Sequence, residues 1–286
     1  MNLRRQYCVF YWEAAMDHIK RAGRLGAITC ILTSTPNRIH SLGEFCELFG
    51  AAKSTISEDI DIIASSIGRF ADGRVETIAG ASGGVRFRPI PSQERVRGII
   101  GDICRRLSEP GRVLPGGFLY TSDVTSESVS VAAIAEVIAM SYYDAEPDFV
   151  LTMETKGIPI ATTTARALNV PLIIARRDSR AYEGSAVKIS YLSGNGVDLE
   201  TMALSRRAVR SGQKALIVDD FMKGGGTLQG MKEIMDEFQA KVVGACVLID
   251  TAKSPAQKLG VRSLVTLKGF ADDNARAIVE PSEYYR

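Results

Sequence analysis

The sequence ALIVDDFMKGGGTLQG at residues 215–230 joins an apolar run to two adjacent carboxylates and a glycine-rich turn. The run at 214–218 predicts a buried strand, and the residues after the glycines, 226–240, predict a helix. A strand that passes through a tight turn into a helix is typical of α/β sheets, whose ligand sites lie at the carboxyl ends of the strands. Asp219 and Asp220 should therefore lie at that edge of a sheet.

The glycine-rich turn has the composition of an anion-binding loop. Exposed backbone amides beside a helix N-terminus attract phosphate, Lys223 adds a positive charge, and Thr227 can donate a hydrogen bond. Asp219 and Asp220 cannot bind phosphate, but they can accept hydrogen bonds from the hydroxyls of a ribose. The combination predicts a site for a ribose 5-phosphate group. It matches neither the GxxxxGK[ST] phosphate loop nor the GxGxxG dinucleotide fingerprint.

Strands and helices alternate from about residue 90 onward. Apolar runs and helical periods predict strands at 149–153, 170–175, 214–218, 241–250 and 263–267, helices at 92–110, 160–169 and 226–240, and a hairpin of 188–192 with 199–205. The order strand, helix, strand is a βαβ unit. This part of the chain therefore predicts an α/β fold with a twisted, mainly parallel sheet and flanking helices.

The first 89 residues follow a different pattern, in which helical periods end in a hairpin. Residues 41–50 predict a helix, with Ser41 and Glu44 as a capping box and Gly50 at its end. Residues 52–70 predict a second helix with one buried stripe of four isoleucines, namely Ile56, Ile60, Ile63 and Ile67. Two helices joined this tightly are typical of a helix-turn-helix.

The second of these helices begins with a cation and small hydroxyls, which can contact phosphates or base edges. Residues 73–89 then predict a basic hairpin, so the whole looks like a winged helix. The candidate DNA contacts are Lys53, Ser54, Thr55, Ser57, Arg74, Arg86 and Arg88. A plain alternative stays open, in which the arginines are solvated and Glu58, Asp59 and Asp61 would repel DNA.

Composition places the chain among globular proteins of one large domain or two ordinary ones. It has 286 residues, 45% of them hydrophobic and 24% charged, and a net charge of +2. We expect domains at 1–89 and 90–286, no membrane span, no signal peptide and a cytoplasmic location with structural thiols. The five cysteines form no CxxC pair, and the only histidines are His18 and His40, so a zinc site or a histidine-dependent triad has little material.

The stretch 215–227 resembles the phosphoribosyl pyrophosphate (PRPP) motif of the type I phosphoribosyltransferases. That resemblance implies that the two acids meet the ribose hydroxyls and that 223–227 bind the 5′-phosphate. The family has a second loop after an earlier strand, which binds pyrophosphate with Mg²⁺, and ETKGIP at 154–159 fits that place. The implied PRPP contacts are Asp219, Asp220, Lys223, Gly224, Gly225, Gly226, Thr227, Thr155, Lys156 and Gly157.

Over nearly its full length the chain resembles the purine operon repressors of Gram-positive bacteria, in which a winged helix precedes a phosphoribosyltransferase-like domain. The segments AKSTISEDI, GASGGV, LPGGFLY, TKGIP, RRDS, EGS and DDFMKGGGT carry the resemblance. It implies a homodimer that binds operator DNA upstream of purine genes, with PRPP as effector. It also implies an inactive transferase fold, with no catalytic residue, required cofactor or resident metal.

Two alternative functions stay open at this point. The chain could be an active purine phosphoribosyltransferase with an accessory N-terminal domain, or an activator with the same parts. Transferases of this type often carry Thr or Ala where Lys223 stands, and the segment 268–286 offers no evident hood over a base, which favours a sensor. Guanine nucleotide alarmones could compete for the pocket. Arg176, Arg177 and Lys188 form either a basic surface beside it or ordinary solvated charges.

Overall fold

The computed structural model describes residues 19–80, 83–178, 184–192, 198–271 and 276–286. The chain divides into two compact units, of which the first ends at Pro89 and the second begins at Ile90. Within the described residues, no helix combines the length and the apolar character needed to cross a membrane.

The N-terminal unit is a small bundle of three helices with a two-stranded hairpin. Its elements are α1 (Arg21–Ser34), α2 (Leu42–Phe49), α3 (Lys53–Phe70), β1 (Arg74–Ile78) and β2 (Gly84–Arg88). The residues of α1 carried no helix prediction. Its buried Ile28 and Leu32 pack with the isoleucine stripe of α3 and with Phe45 of α2 in one apolar cluster, which orders a helix of weak amphipathic pattern through tertiary packing.

Local signals define the ends of the two predicted helices. The Ser41 hydroxyl accepts a hydrogen bond from the Glu44 amide at 3.1 Å, and Gly50 adopts the left-handed conformation with φ of 59° at the end of α2. All four isoleucines of the predicted stripe are buried, the most exposed at 7%. The helix-turn-helix is therefore confirmed. The second half of the predicted capping box differs, because the Glu44 side chain lies 3.3 Å from Nδ1 of His40.

The hairpin is an antiparallel pair in which Arg74 lies opposite Arg88 and Ile78 opposite Gly84. His40 forms an antiparallel bridge with Val85 on the other side of β2. Strand β2 is thus covered along both edges at Val85, and its side chains alternate into the core. Residues 81–82 of the predicted turn lie outside the described residues.

The second unit is built on a six-stranded sheet. Its strands are β3 (Val113–Leu114), β4 (Phe118–Leu119), β5 (Phe149–Met153), β6 (Leu172–Ala175), β7 (Ala186–Leu192), β8 (Leu199–Ser205), β9 (Lys214–Met222), β10 (Lys241–Thr251), β11 (Arg262–Ala271) and β12 (Arg276–Pro281). Its helices are α4 (Gln93–Leu107), α5 (Ser122–Ser126), α6 (Ser128–Met140), α7 (Ile158–Leu168), α8 (Gly226–Glu237) and α9 (Ala256–Leu259).

The sheet has the strand order β12-β11-β10-β9-β5-β6. Five strands run parallel, and β12 pairs antiparallel with β11 at the edge. The mainly parallel sheet is therefore confirmed. Strand β12 lies within the segment 268–286, in which the sequence shows no evident hood over a base. Strands β7 and β8 form the predicted hairpin apart from the main sheet, and β3 and β4 form a second, shorter one.

Two apolar layers cover the faces of the sheet. One face packs against α4, α6 and α7, and the other against α8 together with the β7–β8 hairpin. Burial raises the pKa of the Cys246 thiol to about 12 and that of Cys104 to about 11. Both thiols therefore stay protonated at neutral pH, as expected of structural cysteines.

One boundary differs from the sequence prediction in a way that matters for the site. We predicted that the strand after Lys214 would end at residue 218, whereas β9 continues to Met222. The ladder with β10 extends through Asp219 opposite Val247 and Met222 opposite Asp250. Backbone pairing thus holds both acids inside a strand, where their positions are fixed more firmly than in a loop.

Candidate functional site

The two loops predicted to bind a ribose phosphate come together at one edge of the sheet. Strands β5 and β9 are parallel neighbours, with Leu151 opposite Ile217, so the residues that follow them lie side by side. The first loop, 154–157, leads into α7, and the peptide bond between Glu154 and Thr155 is cis. Thr155 and Lys156 are exposed there.

Gly157 packs directly against the acid pair. A Cβ atom built on Gly157 would overlap with Oδ1 of Asp219 and would lie 2.6 Å from Oγ1 of Thr152. The same Asp219 oxygen accepts a hydrogen bond from the Asp220 amide at 3.0 Å. The buried Thr152 hydroxyl has no hydrogen-bond partner among the described residues. Only glycine at 157 lets the first loop approach the acids this closely.

The two carboxylates of the acid pair interact with each other at a partly buried position. Burial, together with the neighbouring carboxylate of Asp220, raises the pKa of Asp219 well above its ordinary value. Burial also raises the pKa of Asp220, although the ammonium group of Lys156 lowers it. Ionised carboxylates in such a place are stabilised by a cation or by hydroxyl donors. Among the described residues, no three His, Cys, Asp or Glu side chains are placed to hold a metal ion together.

The glycine-rich turn after β9 leads directly into a helix N-terminus. Gly225 adopts a positive φ of 79° directly before α8 begins at Gly226, which favours glycine at this position. A Cβ on Gly225 would lie 2.8 Å from the end of the Leu259 side chain. Lys223 and Gly224 are exposed. The first amides of α8 have no partner within the helix, and the helix dipole favours an anion at this end.

Tyr191, a residue that the sequence did not indicate, packs against the helix that follows this turn. Its hydroxyl donates a hydrogen bond to the Glu200 carboxylate at 2.8 Å. Burial and the bond to Glu200 raise the pKa of Tyr191 to about 12. The ring lies against Gly230, where an added Cβ would come within 2.9 Å of it, so the β7–β8 hairpin packs closely on α8. The signal in the sequence is only a Tyr in a strand, which is common in cores.

Two of the three basic residues that we placed near the site lie beside the first loop. The backbone amide of Arg177 donates to Glu154 at 2.8 Å, and the guanidinium of Arg176 lies 3.4 Å from the same carboxylate. Arg176 also pairs with Ala203 of β8 through the backbone. Lys188 is exposed on β7. Glu154 thus fixes the start of the segment that follows β6.

The N-terminal unit presents most of its predicted contact residues to solvent. Lys53, Ser54 and Ser57 are exposed in the first turn and a half of α3, and Thr55 is half-buried. Arg74 is exposed on β1. These residues could contact a phosphate backbone without rearrangement of the unit.

The two arginines of β2 are placed differently. The Arg86 guanidinium pairs with Glu76 at 2.9 Å, and this single carboxylate also faces Arg88. Arg88 is 7% exposed, donates to Asn37 at 2.9 Å and lies 3.4 Å from Glu76. The Arg88 guanidinium is thus engaged within the N-terminal unit, and its contact with DNA stays a prediction.

Asp59 also has a role that the sequence did not reveal. Its side chain is fully buried and pairs with the guanidinium groups of Arg21 and Arg24 on α1. The concern that Asp59 would repel DNA therefore does not apply, whereas Asp61 remains exposed. The two arginines stand one helical turn apart, a spacing that becomes informative only once α1 is known to be a helix.

Comparison with known families gives two matches in chain order. Residues 20–89 match the family described as the N-terminal part of the bacterial purine repressor, and residues 125–286 match the phosphoribosyl transferase domain.

Similar proteins align across both units. The chain is 40% identical over 241 residues to a probable purine biosynthesis transcriptional regulator of Streptococcus pneumoniae serotype 4, covering 84% of this chain and 88% of that one. It is 38% identical to the purine biosynthesis transcriptional repressor of Bacillus subtilis, covering 81% of each chain. It is 40% identical to a purine biosynthesis transcriptional activator of Lactococcus lactis subsp. lactis, covering 81% and 86%.

Among solved structures, the adenine phosphoribosyltransferase of Thermoanaerobacter pseudethanolicus superposes with a TM-score of 0.52. The match covers 58% of this chain and 99% of that one, at 18% sequence identity. At that identity the likeness establishes the fold of the second unit and nothing about its chemistry.

Proposed function

Because this chain belongs to the family of purine biosynthesis transcriptional regulators, we propose that it is a DNA-binding regulator of purine genes. Its second unit senses PRPP, and its N-terminal unit binds operator DNA. The similar proteins include a repressor and an activator. In this proposal PRPP controls DNA binding, and the position of the operator at each promoter sets the sign of regulation.

The observation that carries the PRPP proposal is the contact between Gly157, in the loop after β5, and Asp219, inside β9. The pair of carboxylates therefore lies beside two turns that each carry an exposed lysine, Lys156 in one and Lys223 in the other. PRPP carries donors and anions in that same order: a 5′-phosphate, ribose hydroxyls and a pyrophosphate. The ribose hydroxyls would satisfy Asp219 and Asp220, the turn before α8 would hold the 5′-phosphate, and residues 155–157 would hold the pyrophosphate with its Mg²⁺.

The N-terminal unit supports DNA binding through charge and shape. The start of α3 is the exposed end of a helix-turn-helix, and its hydroxyls and Lys53 face solvent. Arg74 on the hairpin supplies a second cation. Asp59, one of the acids that would repel DNA if it were exposed, is buried and pairs with two arginines. Non-specific phosphate contacts of this kind give strongly salt-dependent affinity.

We further propose that PRPP is sensed and not consumed. The relatives that align across both units are named as regulators of transcription. The aligned adenine phosphoribosyltransferase covers only the second unit and shares its fold alone. The alternative is an active purine phosphoribosyltransferase, since the ribose and phosphate contacts would be the same in both cases.

The deciding experiment measures DNA binding by fluorescence anisotropy, using fragments from upstream of purine biosynthetic genes with and without PRPP and Mg²⁺. We expect specific binding that PRPP shifts, and by reciprocity DNA should shift PRPP affinity by the same factor. A scrambled fragment is the matched control. Absence of specific binding would overturn the regulator proposal.

The second assay measures pyrophosphate release from PRPP in the presence of adenine, guanine, hypoxanthine or xanthine. We expect no release above the level seen without a base. Release that depends on the base would support the transferase alternative instead.

A further inference from the structure

The short helix α9 packs against the glycine-rich turn that precedes α8. A Cβ atom built on Gly225 would lie 2.8 Å from Cδ1 of Leu259 and 3.2 Å from Cγ of Pro255. Sδ of Met222, at the end of β9, would lie 3.9 Å from the same Cβ atom. Side chains of three residues therefore lie around Gly225, and two of them come from the segment that follows β10.

A hydrogen bond joins α9 to α8 itself. The ammonium group of Lys232 donates to the backbone carbonyl of Leu259 at 2.7 Å. Helix α8 begins at Gly226, so Lys232 lies in its second turn. Leu259 thus contacts the glycine-rich turn with its side chain and the following helix with its carbonyl oxygen. It links the two by a route other than the chain between them.

Helix α9 is in turn attached to the sheet around it. Before the helix, the Ser254 hydroxyl donates to the Asp250 carboxylate in β10 at 3.3 Å. Within the helix, the side-chain amide of Gln257 donates to Glu283, which follows β12, at 2.6 Å. After the helix, Val261 is fully buried directly before β11. The glycine-rich turn therefore packs on a support that several strands hold in place.

The turn itself contains three consecutive glycines, Gly224–Gly226. Glycine loses more conformational freedom on ordering than any other residue, and a ligand that has to order a free segment binds more weakly. We infer that Leu259 and Lys232 are positioning residues, which hold the turn in its phosphate-binding conformation before the ligand arrives. This inference rests on the proposed function, since it assumes that the turn binds the 5′-phosphate.

The inference predicts a loss of affinity that is confined to one half of the ligand. Leu259→Ala removes the contact with Gly225 and should weaken binding of ribose 5-phosphate by roughly threefold to tenfold, the range expected for ordering a short segment. Binding of pyrophosphate with Mg²⁺, which we assign to residues 155–157, should change by less than about twofold, as expected of an independent site. Lys232→Met removes the bond to the Leu259 carbonyl and should have a smaller effect in the same direction.

The test combines calorimetry with amide hydrogen exchange on the full-length protein. Calorimetry uses ribose 5-phosphate in one series and pyrophosphate with Mg²⁺ in the other. Leu259→Met and Lys232→Arg are the conservative variants, which keep the contact and the hydrogen bond. Val242→Ala and Lys241→Met are the matched controls. They remove a half-buried apolar group of the same layer and an exposed charge at the start of β10, the end of that strand away from the turn.

We expect L259A and K232M to bind ribose 5-phosphate more weakly and to exchange the amides of residues 223–227 faster. The variants L259M, K232R, V242A and K241M should resemble wild type in both measurements. Equal losses for the two ligands would overturn the inference, since they would reflect a lost charge or a damaged fold. Unchanged exchange and affinity in L259A would overturn it as well, because the turn would then be ordered without α9.

The result for the wild-type protein separates this inference from the proposed function. If the wild type binds neither ligand, PRPP sensing fails and the inference fails with it. If the wild type binds both ligands and L259A binds ribose 5-phosphate equally well, the phosphate site stands and only the support by α9 is wrong.

Discussion

Gly157 and Asp219 lie in direct contact, so that a Cβ atom on the glycine would overlap with Oδ1 of the carboxylate. Gly157 lies in the loop after β5 and Asp219 lies inside β9, and the contact exists because these two strands are neighbours in the sheet. The position of the acid pair thus depends on the absence of a side chain in the loop after β5. This makes residue 157 a sensitive point for both stability and ligand binding.

Gly157→Ala should damage the site without straining the backbone. Gly157 has φ of −70° and ψ of −20°, values that alanine adopts readily, so the effect is one of overlap with Asp219 and Thr152. We expect a loss of about 1–3 kcal/mol in the free energy of unfolding and weaker PRPP binding. Chemical denaturation and calorimetry measure the two effects.

Gly98→Ala is the matched control for this substitution. Gly98 lies in α4, where an added Cβ would meet open space, and alanine there should stabilise the protein by about 0.5–1 kcal/mol. Gly157→Ala and wild type could instead be equal in stability and in PRPP affinity. That result would show that the loop after β5 moves away from Asp219 at little cost, which would contradict their close packing.

Asp219→Asn should stabilise the ligand-free protein at neutral pH. The pKa of Asp219 is raised in the fold, so the folded state favours the protonated form, and stability falls as the pH rises from the ordinary carboxyl pKa through the raised value. Asparagine removes this cost and retains an oxygen for the Asp220 amide. We expect a higher Tm than wild type at pH 7 and a difference that shrinks toward pH 4, measured by scanning fluorimetry.

The same substitution should weaken PRPP binding, because the amide is a poorer acceptor for ribose hydroxyls than a carboxylate. DNA binding in the absence of PRPP should remain. A variant less stable than wild type at every pH would mean that the carboxylate has a stabilising partner in the fold. Loss of DNA binding would assign the acids a structural role.

Lys53→Ala and Arg74→Ala should each weaken DNA binding and reduce its salt dependence. Removing one phosphate contact makes the slope of log affinity against log salt shallower by about 0.9. Anisotropy titrations across a salt series measure the slope. Arg69→Ala is the matched control, since Arg69 lies in the last turn of the same helix, beside Phe70. An unchanged slope in both test variants would place the DNA surface elsewhere.

Arg88→Ala should lower the stability of the N-terminal unit, and we expect this effect to exceed any loss of a direct DNA contact. The guanidinium is buried against Asn37 and Glu76, and its removal takes the charged partner from Asn37 while Glu76 keeps Arg86. We expect a cost of about 1–3 kcal/mol, seen as faster amide hydrogen exchange in β1 and β2. A lower salt slope with unchanged stability would restore Arg88 as a phosphate contact.

Asp59→Ala should destabilise the N-terminal unit strongly. The carboxylate is fully buried between Arg21 and Arg24, and breaking a buried pair costs about 3–5 kcal/mol. Hydrogen exchange of the α3 amides measures the local effect. Asp61→Ala, at an exposed position of the same helix, should change stability by less than about 0.5 kcal/mol. Similar exchange in the two variants would contradict a structural role for Asp59.

Much of the fold could be predicted because its signals are local. The isoleucine stripe of α3, the capping serine of α2 and the glycine turn before α8 each depend on residues within a few helical turns. The predicted strands of the main sheet were also found, with β9 longer than expected. Helix α1 had too weak a pattern to predict, since it is ordered by packing against α3.

The candidate site could be predicted only in part. The acids and the glycine turn are contiguous in the sequence, and their chemistry already indicates a ribose phosphate. The burial of Arg88, the burial of Asp59 and the contact between Tyr191 and Gly230 depend on which elements lie opposite one another. None of these contacts has a spacing in the sequence that would reveal it.

The sequence alone thus determined most of the secondary structure of both units and indicated the class of ligand, because periodicity, capping and loop composition are properties of neighbouring residues. Only the tertiary structure decided which charges face solvent and which are paired. The Arg88 guanidinium is buried against Asn37 and Glu76, and the sheet brings Gly157 against Asp219. Burial and hydrogen bonding between distant residues arise from the packing of whole elements, so they become defined only when the chain has folded.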